Sequence, residues 1–151
     1  MIQWKTEREI SANIETVWKL LREENMYKIM PNVVENRLVH KELGEIGSKH
    51  EQKYKEGKRI ETYIVETLGY EDLEERKYKR IGFVLAKAFE IKLSFTLEKV
   101  DENKTRFIYE GENKGINFVG RAMLKLGGEK NNRKVVEDFL DLVEKESVRK
   151  Y

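Results

Sequence analysis

A chain of 151 residues is long enough for one domain with a buried core. Charged residues make up 38% of it, and the 30 basic and 28 acidic residues are interleaved, which favours a salt-bridged surface and disfavours nucleic acid as a partner. The absence of cysteine excludes disulfides and thiolate chemistry, and no apolar run is long enough to span a membrane.

The N-terminal part is predicted to hold a strand and two short helices. Residues 2–10 alternate between apolar and polar side chains, as expected of a strand with one face in water. Asn13 or Ser11 can cap the helix that follows, because their side chains accept hydrogen bonds from free backbone N–H groups. The segment 26–30 predicts a second short helix or turn, which Pro31 ends.

About six more strands should follow, because the next part of the chain consists of short β-type segments separated by turns. The predicted strands cover 33–42, 47–57, 59–70, 71–82, 88–100 and 105–113. Strands joined by hairpins form an antiparallel sheet, whose apolar face needs a cover. A long helix after Gly115, ending near Arg149, is the only predicted element of sufficient length.

These elements form one predicted α+β domain over residues 1–151, without a linker or repeat. The N-terminal residues lack the apolar core of a signal peptide, so we expect a cytoplasmic protein. The sequence does not indicate an oligomeric state.

Four segments resemble the START-like, or helix-grip, superfamily, which includes the birch pollen allergens and the polyketide cyclases. They are EREISANIETVWKLL, MYKIMPNV, LGEIGSKHEQKY and KTRFIYEGENKG, which are similar to its opening strand and helix, its proline-ended second helix, its glycine-bearing hairpin and its closing strand. The resemblance implies a curved antiparallel sheet of six or seven strands wrapped around a long C-terminal helix. It also implies an internal cavity, in which members bind lipids, sterols, polyketides or aromatic metabolites.

The stretch LKLGGEKNNRKVV, residues 124–136, places two glycines and several polar residues in the predicted C-terminal helix. Each glycine costs roughly 1 kcal/mol relative to alanine inside a helix. In one interpretation the glycines divide the segment into two helices, with the polar residues in a loop. In the other the helix is continuous or kinked over the cavity, where the candidate ligand contacts are Gly128, Asn132 and Arg133. We favour the second, because the apolar residues before the glycines (Phe118, Ala122, Leu126) stay in phase with those after them.

Three polar residues of the second hairpin are candidates for binding a polar ligand group. His50, Gln52 and Tyr54 alternate with lysines and glutamates, which predicts that they face the inside of the sheet. The alternative is a row of satisfied polar residues near the sheet edge. His40 lies on the preceding strand and can share a ligand with His50 if both face the same side, but two separate polar residues are the favoured interpretation. Two histidines lack the third ligand that zinc normally needs, so neither a metal nor a cofactor is predicted.

Aromatic side chains on elements that should face inward are further cavity candidates. They are Trp18, Phe95, Phe107 and Tyr109. Ordinary core packing is favoured over ligand contact for each of them.

The best-supported function is therefore a carrier or sensor that binds a hydrophobic or aromatic small molecule. One alternative is a cyclase- or hydrolase-like enzyme that uses His50 or Tyr54 as acid or base in the same cavity. Another is a protein- or RNA-interaction domain without a ligand. A buried titratable group beside a second polar group would favour the enzyme, whereas a filled cavity with an exposed apolar patch would favour the interaction domain.

Overall fold

The computed structural model describes residues 1–149. Its elements are β1 Ile2–Ile10, α1 Ile14–Lys19, a 3-10 turn Glu23–Asn25, α2 Met26–Ile29, β2 Val33–His40, β3 Lys49–Glu56, β4 Arg59–Asp72, β5 Arg76–Leu85, β6 Phe89–Asp101, β7 Lys104–Gly115, α3 Phe118–Lys125 and α4 Gly128–Val148. The predicted α+β class and the order of the strands are confirmed. Within the described residues, no helix combines the length and apolar character needed to cross a membrane.

The seven strands form one antiparallel sheet in the order β1-β7-β6-β5-β4-β3-β2. Strands β2 to β7 pair successively as hairpins, and β1 pairs with β7 at the far edge. Thr6 of β1 lies opposite Tyr109, and Arg8 lies opposite Phe107. Residues paired in this way share a face of the sheet, so alternate residues of β1 lie on the same inner face as the buried aromatics of β7.

Helix α4 covers part of this inner face. Its buried residues recur at three- and four-residue spacing and are Val136, Leu140, Val143 and Ser147. Between them, the ring of Phe139 lies 4.8 Å from that of Tyr109 and 5.8 Å from that of Phe95. These aromatic rings occupy the space between α4 and strands β6 and β7, and they form the centre of the core.

Ion pairs connect α4 to β1 at the edge of this core. The guanidinium of Arg8 lies 2.7 Å from a carboxylate oxygen of Asp141 and 3.1 Å from one of Glu137. Both carboxylates are exposed, and exposed ion pairs each contribute only about 0–1 kcal/mol. Apolar contact therefore dominates the attachment of α4, and the ion pairs fix its direction.

The C-terminal segment consists of two helices, so the favoured interpretation of one continuous or kinked helix is wrong. The N–H of Leu126 closes α3 by donating to the carbonyls of Ala122 and Met123. Gly127 then has a φ of +85°, a left-handed conformation that strains any residue with a Cβ atom. The polar residues that follow begin α4 and do not form a loop, so the alternative interpretation is also only partly right.

The apolar residues before the glycines were expected to be buried, and the structure corrects this. Phe118 is 80% exposed and Leu126 is 84% exposed, whereas α3 packs on the sheet through Gly120. The apolar residues before and after the glycines therefore share a helical spacing without forming one continuous buried face.

Gly127→Ala is expected to lower the free energy of unfolding by about 1–2 kcal/mol, because alanine is strained in the left-handed region. Gly128→Ala is the matched control. Gly128 is helical, and its new methyl group would lie 3.1 Å from Cδ1 of Ile2, a flexible side-chain end. Urea unfolding of both variants measures the difference. Equal stabilities would contradict a helix break that depends on Gly127.

Candidate functional site

A pocket of about 230 Å³ lies beside the aromatic core, between α1, the 3-10 turn, the β2–β3 loop and strands β4 and β5. Its charged lining consists of three basic and three acidic side chains: Arg22, Lys41, Lys79, Glu23, Glu24 and Glu45. The formal charges cancel. Two larger depressions, of about 540 and 400 Å³, lie on the outer face of the sheet and are more open to solvent.

Two aromatic rings form one wall of the pocket. Trp18 of α1 and Tyr70 of β4 both line it, and their ring centroids are 5.8 Å apart. Asn13 fixes the start of α1 by accepting a hydrogen bond from the N–H of Glu15, as the sequence predicts for one of its two candidate caps. Burial raises the pKa of the Tyr70 hydroxyl, so this ring presents a neutral polar group.

A buried lysine, Lys77, lies next to the Trp18 ring of this wall. Lys77 is only 2% exposed, and its ammonium lies 5.9 Å from the centre of the Trp18 ring. Burial alone would lower the pKa of Lys77, but hydrogen bonds to Asp72 and Glu15 outweigh it and raise the pKa. Lys77 is therefore a charged residue whose partners tie α1 to the end of β4.

An ion-pair cluster lies next to this aromatic wall, since Lys79 pairs with Tyr70 across strands β4 and β5 and both line the pocket. Oε1 of Glu23 lies 2.9 Å from Nζ of Lys79 and 3.2 Å from Nε2 of His50. Burial would raise the pKa of Glu23, but the charge and hydrogen bond of Lys79 outweigh it and lower the pKa. The cluster therefore holds an ionised carboxylate between two nitrogen groups.

His50 is the titratable member of this cluster in the neutral pH range. Burial lowers the pKa of its imidazole, and nearby Lys79 lowers it further, while Glu23 opposes both. His50 is therefore neutral at pH 7. Its Nδ1 atom is buried without a hydrogen-bond partner among the described residues, which leaves one ring nitrogen unsatisfied.

The structure places His50 and Gln52 on the inner face of the sheet, as their alternation predicts. His50 pairs with buried Val65, and Gln52 pairs with Tyr63. Burial raises the pKa of Tyr63 to about 12. Asn36 of β2 lies opposite Gln52, and both polar atoms of its side chain are buried without a partner in the described part of the chain. These residues form a polar row that begins at the ion-pair cluster.

Tyr54 lies near the end of this row, where its hydroxyl is 3.4 Å from Nδ2 of Asn32. His40 does not join it. A register shift after Leu38 pairs His40 with Lys49, on the face opposite to His50, and the exposed imidazole of His40 bonds to Glu42. The condition under which His40 could share a ligand with His50 is therefore not met, because the bulge reverses the facing of β2.

Of the sequence candidates, Trp18 lines the pocket, whereas His50 contacts the lining residue Glu23 from outside the lining, and the remaining candidates lie elsewhere. Phe95, Phe107 and Tyr109 are buried and contact one another and Phe139, the core packing that the sequence favoured. The ideal Cβ position of Gly128 faces Ile2, Asn132 is half-buried and Arg133 is exposed. Sequence reasoning missed Glu23, Tyr70 and Lys79, which bring the charged and aromatic groups of the pocket together.

No protein-family model and no curated protein matches the chain. Among solved structures, a START superfamily protein from Mycobacterium smegmatis matches with a TM-score of 0.72 at 13% identity, over 96% of each chain. The chain has the START-like helix-grip fold. Norcoclaurine synthase from Thalictrum flavum matches with a TM-score of 0.69 at 10% identity, over 99% of this chain and 95% of that one. A hypothetical protein from Helicobacter pylori matches with a TM-score of 0.73 at 13% identity, over 97% of this chain and 88% of that one. Such identities establish the fold and leave the function to the residues of the site.

Proposed function

We propose that the protein binds a small, uncharged molecule with one ring and a polar substituent, in the pocket between α1 and strands β4 and β5. The observation that carries this proposal is the convergence of two aromatic rings and one partly buried ion pair on a single pocket. The rings are those of Trp18 and Tyr70, and the ion pair is Glu23–Lys79. An amphipathic ligand needs these two kinds of wall.

The volume of the pocket limits the ligand to one ring. Drug-sized ligands occupy pockets of about 300–1,000 Å³, and this pocket has about 230 Å³. A cavity of about 150 Å³ holds benzene. The remaining volume suits a substituent of a few atoms, so a sterol or a long-chain lipid does not fit as a whole.

The charge balance of the pocket favours a neutral polar substituent. Three basic and three acidic side chains surround it, so an added charge would gain from one set and lose to the other. A hydroxyl group can donate to Glu23 and accept from Lys79, which are 2.9 Å apart, because it has both a hydrogen and lone pairs. A phenol combines the ring and the hydroxyl.

A protein of the same fold supports this ligand class. A solved complex of norcoclaurine synthase from Thalictrum flavum contains dopamine and hydroxybenzaldehyde. Each molecule contains a single aromatic ring with at least one hydroxyl group. Dopamine also carries an amine that is charged at neutral pH, so hydroxybenzaldehyde is the nearer example of the proposed uncharged class. Similar small phenols are therefore reasonable first ligands for this pocket.

Saturating p-cresol is expected to raise the melting temperature, whereas toluene, which lacks only the hydroxyl, should raise it much less. A ligand at about 100 times its Kd stabilises the native state by about 2.7 kcal/mol. The double variant Glu23→Met/Lys79→Met should lose the preference for p-cresol, because it removes both polar partners without leaving an unpaired charge. The control Lys58→Met changes an exposed residue of the β3–β4 turn and should respond as the wild type does. If no small phenol raises the melting temperature of the wild type, the proposal is wrong.

A second candidate is acid–base catalysis at the edge of the same pocket, and the 3.2 Å contact of His50 with the lining residue Glu23 favours it. A neutral imidazole beside a carboxylate can take up a proton, because the carboxylate stabilises the imidazolium that forms. His50→Gln distinguishes the two functions. A binding protein should retain most of its affinity for p-cresol in this variant, whereas an enzyme should lose turnover of any substrate while it still binds that substrate.

A further inference from the structure

Helix α3 exposes large apolar side chains on one side and basic side chains next to them. Phe118, Val119, Met123 and Leu126 are 80%, 59%, 56% and 84% exposed. At 100° per residue, Phe118, Val119 and Met123 fall within one arc of the helix, and Arg121 and Lys125 border it. The α3 patch consists of these six residues.

The exposure of the α3 patch is built into the way α3 attaches to the sheet. The third side of the helix carries Gly120, and a Cβ atom there would lie 2.1 Å from the carbonyl oxygen of Ala88. The side chain of Asn117 donates to the carbonyl of Lys87 at 3.1 Å and accepts from the N–H of Gly120 at 2.8 Å. A glycine is therefore buried against the sheet while a phenylalanine faces solvent, the reverse of ordinary packing.

The charge around the α3 patch differs from that of the rest of the chain. Residues 114–134 contain six basic residues and one acidic residue, whereas the remaining 130 residues contain 24 basic and 27 acidic ones. Arg121, Lys125, Lys130 and Arg133 are exposed, and none has an acidic partner within 4 Å among the described residues. This corner of the molecule is therefore cationic and not neutralised from within.

We infer that the α3 patch docks the protein on an anionic lipid bilayer. Apolar side chains flanked by lysine and arginine suit the boundary between anionic headgroups and acyl chains. The patch lies where α3 and α4 meet at Gly127, and its few side chains are far fewer than the roughly 20–30 residues that each side of a stable protein interface contributes. It also carries a single aromatic residue, Phe118, which provides little stacking for unpaired bases. This inference does not depend on the phenol pocket.

Sedimentation with vesicles tests the docking of the unmodified protein. Vesicles of phosphatidylcholine with about 30% phosphatidylglycerol should bind it, and vesicles of phosphatidylcholine alone should bind at least tenfold more weakly. Raising the salt from about 0.05 M to about 0.5 M should release it, because exposed charges are then screened. Absence of binding to the anionic vesicles would overturn the inference.

Paired variants separate the α3 patch from general surface effects. Arg121→Gln/Lys125→Gln should weaken vesicle binding about thirtyfold, because each basic residue near an anionic surface contributes roughly fivefold. The charge control is Lys55→Gln/Lys58→Gln, and it should bind like the wild type. The apolar variant is Phe118→Gln/Met123→Gln/Leu126→Gln, and its control, which changes equally exposed apolar residues elsewhere, is Leu43→Gln/Ile46→Gln/Leu73→Gln.

The apolar variant should lose at least tenfold in vesicle affinity and keep the melting temperature of the wild type, because its three residues are exposed. Its control should keep both the vesicle affinity and the melting temperature of the wild type, because its three residues are exposed as well. Equal loss in variant and control would overturn the inference. So would binding to single-stranded oligonucleotides that depends on Arg121 and Lys125 but not on Phe118, combined with no binding to vesicles.

Discussion

Phe139→Ala is expected to lower the free energy of unfolding by about 3 kcal/mol. Truncating a buried phenylalanine costs about 3–5 kcal/mol, and the lower value applies because Phe139 is only partly buried. The ring contacts those of Tyr109, Phe95 and Phe107, with centroids 4.8, 5.8 and 6.5 Å away. Alanine would remove all three aromatic contacts and leave a void beneath α4, the helix that covers this part of the sheet.

Matched variants of the same helix distinguish core packing from helix propensity. Val135→Ala changes an exposed position four residues before Phe139, so its stability should differ from the wild type by less than about 0.5 kcal/mol. Phe139→Leu keeps an apolar side chain and should cost less than the alanine variant. Chemical denaturation with a tryptophan fluorescence readout measures all three. If Phe139→Ala unfolds at the same denaturant concentration as Val135→Ala, the contact between α4 and the aromatic core is wrong.

The order of the strands along the chain could be predicted from the turns between them. The facing of β1, β3 and β6 could be predicted because side-chain alternation in a regular strand has a strict period of two. Residues 2–10 were predicted as a strand, and β1 is Ile2–Ile10. His50 and Gln52 were assigned to the inner face for the same reason. No bulge interrupts β3 between His50 and Tyr54 in its pairing with β4, so the pattern and the structure agree there.

The pocket could not be predicted, because a bulge in β4 interrupts the alternation of its side chains and because charged residues lie on both faces of β5. A register shift between Thr67 and Gly69 places both Thr67 and Tyr70 opposite inner-face residues of β5, although they are three positions apart. On β5, Lys77 and Lys79 face inward while Arg80 faces outward, so the charges do not distinguish the two sides. Buried lysines can be recognised only when their carboxylate partners are known.

The prediction of a continuous C-terminal helix was wrong for a different reason. Periodicity shows which apolar residues share one face of a helix, but that this face is buried is an assumption. The assumption does not hold for α3, which exposes Phe118 and Leu126. The pair Gly127–Gly128 was recognised as a possible break, but the apolar phase across it favoured continuity. An exposed apolar face therefore misled the prediction, and the same face is the basis of the inferred membrane contact.

Glu23→Gln is expected to lower the free energy of unfolding by about 2–3 kcal/mol. The change keeps the size of the side chain but leaves Lys79, which is 9% exposed, without its acidic partner. Breaking a fully buried ion pair costs about 3–5 kcal/mol. The expected loss is smaller because the Glu23 side chain is 32% exposed and water screens the pair. Glu24→Gln removes an adjacent, exposed carboxylate and should have almost no effect.

The two histidines of the chain allow the same variant to be followed by NMR titration. Glu23 is the largest influence that raises the pKa of His50, so Glu23→Gln should lower that pKa further below its ordinary value. His40 lies on the other face of the sheet and provides a reference resonance. An unchanged His50 titration would show that the imidazole does not sense Glu23.

The pH dependence of stability provides an independent measurement of this coupling. Folded His50 binds its proton more weakly than unfolded His50, so the unfolded state takes up more protons as the pH falls below about 6.5. The contribution of His50 to stability therefore decreases as the pH falls, until the pH reaches the pKa of His50 in the folded state. Glu23→Gln lowers the folded-state pKa of His50 further, so the variant continues to lose stability to a lower pH than the wild type does. In the wild type the pKa of Glu23 is itself lowered, so this carboxylate is still ionised near pH 5. The stability difference between wild type and variant should consequently widen from about pH 7 to about pH 5. A constant difference over this range would mean that Glu23 stabilises the fold through Lys79 alone and that His50 is not part of the cluster.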